Sequence, residues 1–407
     1  MRRDIVFFPW RDYNQIQREG YRTREANVLK ELMHRNDIGT ILCVNRPNQP
    51  KILNWVLSRT KKYKYYISDK KKDAGVQQYS RWFSTLKRMN DRLYVLELDY
   101  HIPNPKGNLL EQSRMIFNTL ENEVKHAIRF LKMQNYLLWS FDLSRSKIFG
   151  GLAESSGVKV FDAIDNLLDH DQFKHKKMIK NHYDEVHRNA DIVFTVSESI
   201  KNELFNGRNK VEWIPNGIDL RRFTQAEYQE IEDLPKGKPI IGYVGLMQER
   251  IDLDVLLYTV KTLRDFNFVF VGPLLSEDYF KEIKLENNTY FLGTKHHDDI
   301  PNYISKFDTC IIPHKVNKFT KSMNPLKIYE YLAAGKEVVT TPVPPSEQFQ
   351  NILHIAYNKE QFCQLVKETI VNPFSKFSRE QIEQHITAHG WNHRVEYMLK
   401  YIESHTG

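Results

Sequence analysis

Residues 307–342 read FDTCIIPHKVNKFTKSMNPLKIYEYLAAGKEVVTTP, and this stretch predicts a strand, a basic loop, a helix and a second strand. Asn324 is a preferred helix N-cap, and Pro325 suits the first helical position because its missing N–H is not needed there. Gly335 suits the left-handed residue that follows a last helical turn. The stretch therefore predicts one helix that joins two strands, as in a parallel α/β sheet.

The same alternation continues on both sides of this stretch. Short β-branched or aromatic runs predict strands over 4–8, 39–44, 93–98, 136–139, 158–161, 191–196, 240–244, 268–271, 290–292, 309–312 and 338–341. Apolar residues at three- and four-residue spacing predict helices over 23–34, 112–133, 174–189, 199–205 and 393–403. We therefore expect an α/β protein of two Rossmann-like, doubly wound units that face a cleft.

The length of 407 residues also predicts two domains, because single cores rarely grow to that size. We assign 1–205 together with 388–407 to the first domain, the last helix packing back across it. The second domain is 206–387, and the polar, irregular stretch 227–238 is the predicted linker. The carboxyl ends of the strands are where such sheets bind ligands.

Composition narrows the class of protein. Hydrophobic residues make up 41% and charged residues 27%, values typical of a globular protein rather than a disordered or membrane-spanning one. The apolar run near the N-terminus is too short for a signal peptide, and no run is long enough to span a bilayer. Three cysteines without close spacing indicate a reducing compartment, so we expect a cytoplasmic location.

The helix after 307–312 predicts an anion site. A helix that opens beyond the carboxyl end of a strand directs free N–H groups and its positive dipole end at the site, where a phosphate can bind. Lys327 falls in the first turn, and Glu330, on the same side, can accept hydrogen bonds from a ribose diol. An ordinary exposed Lys–Glu pair is the alternative. The loop before the helix adds four basic side chains: His314, Lys315, Lys318 and Lys321.

At this point the sequence resembles a known family, the GT-B glycosyltransferases of family 4, and in particular bacterial enzymes that assemble surface polysaccharides such as teichuronic acid. The segments that carry the resemblance are VFDAIDN (160–166), NADIVFTVSESIKNELF (189–205), PNGIDLRRF (215–223), IIGYVGLMQERIDLDVLL (240–257), FVGP (270–273) and NPLKIYEYLAAGKEVV (324–339). They cover most of the C-terminal half of the chain.

The resemblance implies roles for individual residues. Glu330 would bind the donor ribose, Gly245 would open the phosphate loop, and Arg250 with Lys327 would hold the pyrophosphate, next to Asn324. It also implies a retaining, metal-independent transfer that needs no cofactor beyond a nucleotide-sugar co-substrate, which we expect to be a UDP-sugar. The acceptor would be a lipid-linked or polysaccharide chain.

Two positions depart from the family pattern. Ser322 stands where the family has the first glutamate of a pair, and Leu246 stands where an arginine usually follows the loop glycine. The N-terminal half also lacks the glycine-rich loop that usually follows the first strand, and residues 10–24 offer arginines instead. Recognition of the donor sugar and of the acceptor is therefore not predicted by the family pattern.

The first domain supplies the candidate acceptor residues. Asp162 and Asp165 follow the strand at 158–161 and would border the cleft, where Asp162 and Arg22 would contact the acceptor. Lys327 and Asp165 are the candidate catalytic residues. Alternatively, Asp162 and Asp165 cap the next helix.

Other functions remain as alternatives. Asp252-Leu253-Asp254 has the form of a metal-binding pair, although acidic residues are also common where a helix begins, and we predict no metal. A sugar-nucleotide epimerase shares the expected architecture and donor. A dinucleotide oxidoreductase is disfavoured because no GxGxxG follows the first strand. A nucleic-acid binder would not explain the helix at 324–335, so we predict no nucleic-acid partner.

Residues 51–90 are strongly basic. They contain eleven lysines and arginines against two aspartates, interleaved with aromatic residues, in a chain whose net charge is +8. Such a segment favours an anionic membrane surface, so we expect peripheral attachment to the inner face of the plasma membrane. A solvated loop and helix face is the alternative.

Overall fold

The computed structural model describes residues 2–47, 75–98, 114–152, 156–170, 175–224 and 230–406. The chain divides into two compact units, Met1–Ile214 with Val395–Gly407 and Pro215–Arg394. The division therefore falls between Ile214 and Pro215, whereas the sequence placed it at 205/206. The predicted linker at 227–238 belongs to the second unit.

The first unit contains a nine-stranded sheet with the order β3-β4-β5-β2-β1-β6-β7-β8-β9. Its strands are β1 (Arg3–Phe8), β2 (Ile38–Val44), β3 (Val76–Ser80), β4 (Ser84–Arg88), β5 (Leu93–Leu98), β6 (Tyr136–Ser140), β7 (Ser156–Ala163), β8 (Ile192–Thr195) and β9 (Val211–Trp213). Strand β4 runs antiparallel to β3 and β5, and the other paired strands of this sheet are parallel to each other. Three residues join β3 to β4, which suffices for a hairpin but not for a parallel crossover.

The helices of the first unit fill the connections between parallel strands. They are α1 (Tyr13–Arg18), α2 (Arg24–His34), α3 (Arg114–Phe130), α4 (Ile148–Gly151), α5 (Lys176–Asn189) and α6 (Glu198–Leu204). Apolar residues of the strands and helices form one buried cluster that includes Val6, Leu42 and Leu138. This is the layered core expected when helices cover a parallel sheet.

The second unit contains a six-stranded parallel sheet with the order β12-β11-β10-β13-β14-β15. Its strands are β10 (Ile240–Val244), β11 (Asn267–Val271), β12 (Thr289–Gly293), β13 (Thr309–Ile312), β14 (Val338–Thr340) and β15 (His354–Ile355). Its helices are α7 (Arg221–Thr224), α8 (Leu253–Thr262), α9 (Lys281–Lys284), α10 (Ile300–Ser305), α11 (Lys318–Lys321), α12 (Leu326–Ala333), α13 (Lys359–Val371) and α14 (Arg379–Thr387). The last helix, α15 (Trp391–Thr406), begins in the second unit and ends in the first.

Both faces of the second sheet are buried. Val244 of β10 packs in one apolar cluster, and its neighbour Tyr243 packs in the other, on the opposite face. The strands are therefore nearly continuous apolar runs, as parallel strands covered on both sides require.

The α/β fold class and the predicted strands are confirmed. Four of the described strands were not predicted: β3 and β4, which form a hairpin, and the short edge strands β9 and β15. No helix within the described ranges combines the length and the apolar character needed to cross a membrane.

Candidate functional site

Two glycines shape the carboxyl edge of the second sheet. Gly245 follows β10 with a φ of 135°, and Gly272 follows β11 with a φ of 140°. A Cβ at Gly272 would lie 2.1 Å from the carbonyl oxygen of Gly245, and one at Gly245 would lie 2.9 Å from Nζ of Lys327. Both backbone conformations are open to glycine and strained for other residues. The glycines let the ends of the two strands approach each other and the Lys327 ammonium.

Lys327 lies in the first turn of α12, where its side chain is buried. Its Nζ donates a hydrogen bond of 2.6 Å to the Tyr243 hydroxyl and lies 3.8 Å from the centre of the same ring. Burial, with a smaller contribution from Arg250, holds the pKa of Lys327 well below its ordinary value, while Glu330 acts in the opposite direction. The ammonium is thus removed from water, and among the described residues no ion pair joins it to a carboxylate.

His314 is the second buried basic group at this edge, with an exposed fraction of 1%. Its Nε2 lies 3.3 Å from the Tyr243 hydroxyl, whereas Nδ1 has no hydrogen-bond partner among the residues that the structure describes. Burial, followed by Lys327 and Arg250, holds the pKa of His314 well below its ordinary value. The ring is therefore neutral in this arrangement.

Arg250 completes the cluster, which we call the basic cluster: Arg250, His314 and Lys327. The backbone carbonyl of Arg250 accepts a 2.8 Å hydrogen bond from the N–H of Lys315, and Ile251 forms an isolated antiparallel bridge with His314. Within the described part of the chain, Nε of Arg250 is buried without a hydrogen-bond partner. Buried cations and unpartnered polar atoms at the start of a helix form a site for an anion.

The predicted N-cap at Asn324 is wrong. Helix α12 begins at Leu326, and Pro325 occupies the cap position. The side-chain oxygen of Asn324 instead accepts hydrogen bonds from the backbone N–H of Asn216 at 3.1 Å and the Tyr329 hydroxyl at 3.0 Å. The carboxamide of Asn216 returns a bond of 2.7 Å to the carbonyl of Asn324. Asn216, 108 residues away, thus binds the side-chain oxygen of Asn324 that the local sequence predicted as the helix cap.

The predicted end of the helix is confirmed. Gly335 has a φ of 65°, and its N–H donates to the carbonyl of Leu332 at 2.9 Å. The N–H of Lys336 reaches back to the carbonyl of Tyr331 at 3.0 Å. This pair of bonds is a Schellman motif, which satisfies the last carbonyls of the helix.

Glu330 lies one turn after Lys327, with its side chain 13% exposed. Its Oε1 lies 3.7 Å from Nε2 of His297, which belongs to a 3-10 turn at His297–Asp299. Neither His297 nor Tyr243 was predicted from the sequence as a site residue. Tyr243 offered no signal beyond a buried strand position, because its contact with Lys327 spans 84 residues.

Residues 238–372 match the family of glycosyl transferases group 1. The matched residues all lie within the second unit and make up about a third of the chain. The predicted resemblance to a glycosyltransferase is confirmed for this part of the chain, and the basic cluster, Gly245 and Glu330 all lie within the matched residues.

One curated relative and two solved structures extend the comparison. The putative teichuronic acid biosynthesis glycosyltransferase TuaH of Bacillus subtilis is 26% identical over 183 residues, which are 43% of this chain and 46% of that protein. The alignment thus spans less than half of the relative's length. Sucrose-phosphate synthase from Thermosynechococcus elongatus aligns over 99% of both chains with a TM-score of 0.69 and 14% identity. Anabaena HepE in complex with UDP-glucose aligns over 98% of this chain and 99% of its own, with a TM-score of 0.64 and 13% identity. The two-unit GT-B fold is confirmed.

The matched residues depart from the family pattern at two positions, Ser322, which is buried, and Leu246, which is half-buried. Ser322 is 1% exposed, and its hydroxyl donates to the carbonyl of Phe319 at 2.8 Å. The carbonyl of Leu246 accepts a 3.2 Å hydrogen bond from the Tyr243 hydroxyl. Neither side chain supplies the charge that the family pattern has at these positions, which leaves the basic cluster as the main charged feature beside Gly245.

Asp252 and Asp254 lie at the start of α8. Asp252 is the N-cap of α8, and its carboxylate accepts hydrogen bonds from the N–H groups of Asp254 and Val255. The helix-start interpretation is therefore confirmed.

The candidate acceptor residues lie in the first unit. Asp162 is fully buried, and its carboxylate binds Nε of Arg24 at 2.9 Å. Nε of Arg22 binds Glu19 at 2.7 Å, and the backbone carbonyl of Asp165 accepts a 2.9 Å hydrogen bond from the Tyr183 hydroxyl. Asp162 therefore forms a buried ion pair with Arg24. The acceptor roles of Asp162, Arg22 and Asp165 stay predictions.

The basic segment 51–90 is described only from Gly75 onward, and most of its lysines, including Lys61, Lys62, Lys70 and Lys71, lie outside the described residues. The described part forms the hairpin of β3 and β4 rather than a helix face. Its three basic residues are paired with carboxylates: Arg81 with Glu123, Lys87 with Glu97, and Arg88 with Asp91. Trp82 at the turn is 74% exposed.

Proposed function

We propose that this protein is a glycosyltransferase that moves a sugar from a nucleoside diphosphate donor to an acceptor hydroxyl. The basic cluster beside Gly245 and the first turn of α12 is the observation that carries the proposal. In the transfer the bond between the anomeric carbon and the β-phosphate oxygen breaks and a bond to the acceptor oxygen forms. The proton of the acceptor hydroxyl passes to the departing phosphate, and the nucleoside diphosphate leaves. Arg250 and Lys327 would stabilise the charge that develops on the departing phosphate.

We infer that the donor is a UDP-sugar and that Glu330 binds its ribose. A carboxylate one turn beyond the phosphate-binding turn has the reach and the acceptor oxygens for a diol. The UDP-glucose complex of HepE, which shares the fold, supports the choice of nucleotide. Asn324 would act by fixing the entry to α12 through Asn216.

A thermal-shift panel of UDP-, GDP- and dTDP-sugars tests the donor. A ligand that binds the folded state alone raises its apparent stability, by about 2.7 kcal/mol at a hundredfold excess over Kd. We expect a shift with UDP-sugars that is lost in Glu330→Ala and kept in Glu368→Ala, an exposed glutamate of α13. A panel without any shift, or an equal shift in both variants, would contradict the assignment.

We propose that the acceptor is a lipid-linked or polysaccharide chain of a cell-surface polymer such as teichuronic acid. The partial similarity to TuaH supports this choice. Asp165 would orient the acceptor hydroxyl, with Arg22 as a further contact. In a transfer assay with such an acceptor, we expect Asp165→Asn to lower kcat while the Kd for UDP stays within about twofold of the parent. A raised Kd for UDP would mean that Asp165 contributes to nucleotide binding rather than to orienting the acceptor.

We also propose that the transfer retains the anomeric configuration and needs no metal ion. NMR of the product formed from a donor of known configuration reports retention directly. EDTA should leave the rate unchanged. An inverted product or loss of activity in EDTA would contradict the respective part of the proposal.

A sugar-nucleotide epimerase would use the same donor without an acceptor. Incubation with the UDP-sugar alone separates the two functions, because a transferase leaves the sugar configuration intact. An isomeric UDP-sugar among the products would favour the epimerase.

Peripheral attachment to an anionic membrane is a further part of this proposal, supported by the charge of residues 51–90 and the exposed Trp82. Flotation with acidic liposomes tests it. Neutralising Lys61, Lys62, Lys70 and Lys71 to glutamine should abolish flotation. The matched control replaces four exposed lysines of the second unit, Lys281, Lys284, Lys306 and Lys367, and should float like the parent. Equal flotation of both variants would refute the attachment.

A further inference from the structure

We propose that His314 is a direct ligand of the donor diphosphate through Nδ1 and that its imidazole ring takes up a proton when the donor binds. The inference rests on the nucleotide-sugar function proposed above. It adds His314 to the donor-binding residues and couples donor binding to the uptake of a proton.

The backbone of His314 is held at the carboxyl end of β13. Its N–H donates to the carbonyl of Ile312 at 3.0 Å, and its carbonyl accepts a bond of 2.6 Å from the Thr341 hydroxyl. The bridge to Ile251 ties it to the loop that carries Arg250. The backbone that carries the ring is therefore fixed beside Arg250 within the basic cluster.

The Tyr243 hydroxyl joins the side chains of the basic cluster. Its oxygen lies 2.6 Å from Nζ of Lys327 and 3.3 Å from Nε2 of His314, it also receives a hydrogen bond from Arg250, and it donates to the carbonyl of Leu246 at 3.2 Å. Nδ1 of His314 takes no part in this network, and within the described chain it has no hydrogen-bond partner. In a charged imidazole both nitrogens are donors, so Nδ1 of the protonated ring is available to a phosphate oxygen.

The groups that face His314 keep it neutral before the donor binds. They are the Tyr243 hydroxyl from β10, the Arg250 guanidinium from the next loop, and the Lys327 ammonium from α12, with Glu330 one turn beyond Lys327. Two cations and burial disfavour a third positive charge. A diphosphate placed among these groups brings negative charges that reverse this balance, because opposite charges at close range favour the charged form.

The proton comes from solvent, and no bond of the donor is made or broken in this step. Protonated Nδ1 would then donate a charge-assisted hydrogen bond to a phosphate oxygen. Donor binding raises the pKa of His314, so affinity is highest at low pH and falls as pH rises through the pKa of the bound state.

Calorimetry with UDP-glucose in buffers of different ionisation enthalpy measures this uptake. UDP-glucose is the probe because each of its phosphates has one ester and one anhydride bond, so neither titrates between pH 6 and 8. We expect net uptake approaching one proton at pH 6 to 7 in the parent. His314→Asn, whose amide can donate without titrating, should bind UDP-glucose without uptake. His314→Phe should weaken binding about tenfold or more. The exposed His393→Asn should behave like the parent.

Uptake that persists in His314→Asn, or no uptake in the parent, would overturn the inference while leaving the donor site intact. A parent that binds neither UDP-glucose nor UDP would overturn the proposed function and this inference together. NMR of labelled histidine in the parent provides a readout that does not depend on the variants. One ring should change from the neutral to the charged chemical shifts when UDP-glucose is added, and unchanged shifts would also overturn the inference.

Discussion

At the scale of single residues, the candidate site combines binding chemistry with a cost in stability. Folding buries Lys327 and lowers its pKa, so between the folded pKa and the ordinary pKa of lysine the unfolded chain binds more protons than the folded chain. The contribution of Lys327 is therefore unfavourable below its folded pKa and shrinks as pH rises towards about 10, the ordinary pKa of lysine. We expect Lys327→Met to raise the free energy of unfolding at pH 7, to gain less at pH 9.5, and to lose the stabilisation by UDP.

Urea denaturation at the two pH values measures this change. Lys367→Met is the matched control, because that lysine is exposed on α13 and should change neither stability nor UDP binding beyond about 0.5 kcal/mol. A Lys327→Met protein that is less stable than the parent at pH 7 would show that the bond to Tyr243 outweighs the burial of the ammonium.

At the scale of elements, the two aspartates at the start of α8 differ in how much they contribute to stability. Asp252 caps α8, whereas Asp254 is exposed and pairs with Lys359 at 3.1 Å. We expect Asp252→Ala to lower the free energy of unfolding by about 1 kcal/mol through loss of the cap. Asp254→Ala should change it by less than about 0.5 kcal/mol, because exposed ion pairs contribute little.

Thermal or urea unfolding of both variants gives these values, and the transfer assay with and without Mg²⁺ provides the functional readout. If Mg²⁺ stimulates transfer in the parent and this stimulation is lost in Asp252→Ala, the carboxylate binds a cation and does not only cap the helix.

At the scale of the whole molecule, the donor-site residues are confined to one unit. Gly245, Arg250, His314, Lys327 and Glu330 all lie within Pro215–Arg394. Ligand binding slows hydrogen exchange where it suppresses local opening. We expect UDP to protect amides in 240–256 and 309–331 most strongly and to leave those of β3 and β4 unchanged. Equal protection of β3 and β4 would place a nucleotide site in the first unit.

The elements themselves were largely predictable. The strands of the second sheet are continuous apolar runs because both faces are buried, and the end of α12 follows from the conformational freedom of Gly335. The edge hairpin of β3 and β4 was not predicted, because its residues are polar and their pairing with β5 depends on contacts distant in the sequence.

The sequence by itself determined the two α/β units, the glycine loop after β10, and Lys327 and Glu330 on one face of a short helix, since these follow from periodicity, backbone freedom and helical spacing. Only the tertiary structure decided that Asn324 binds Asn216 rather than capping α12, and that Tyr243 joins Lys327 to His314. Those contacts link residues up to 108 positions apart. Local patterns carry no information about such partners, because which side chains meet depends on how the sheet and its loops pack.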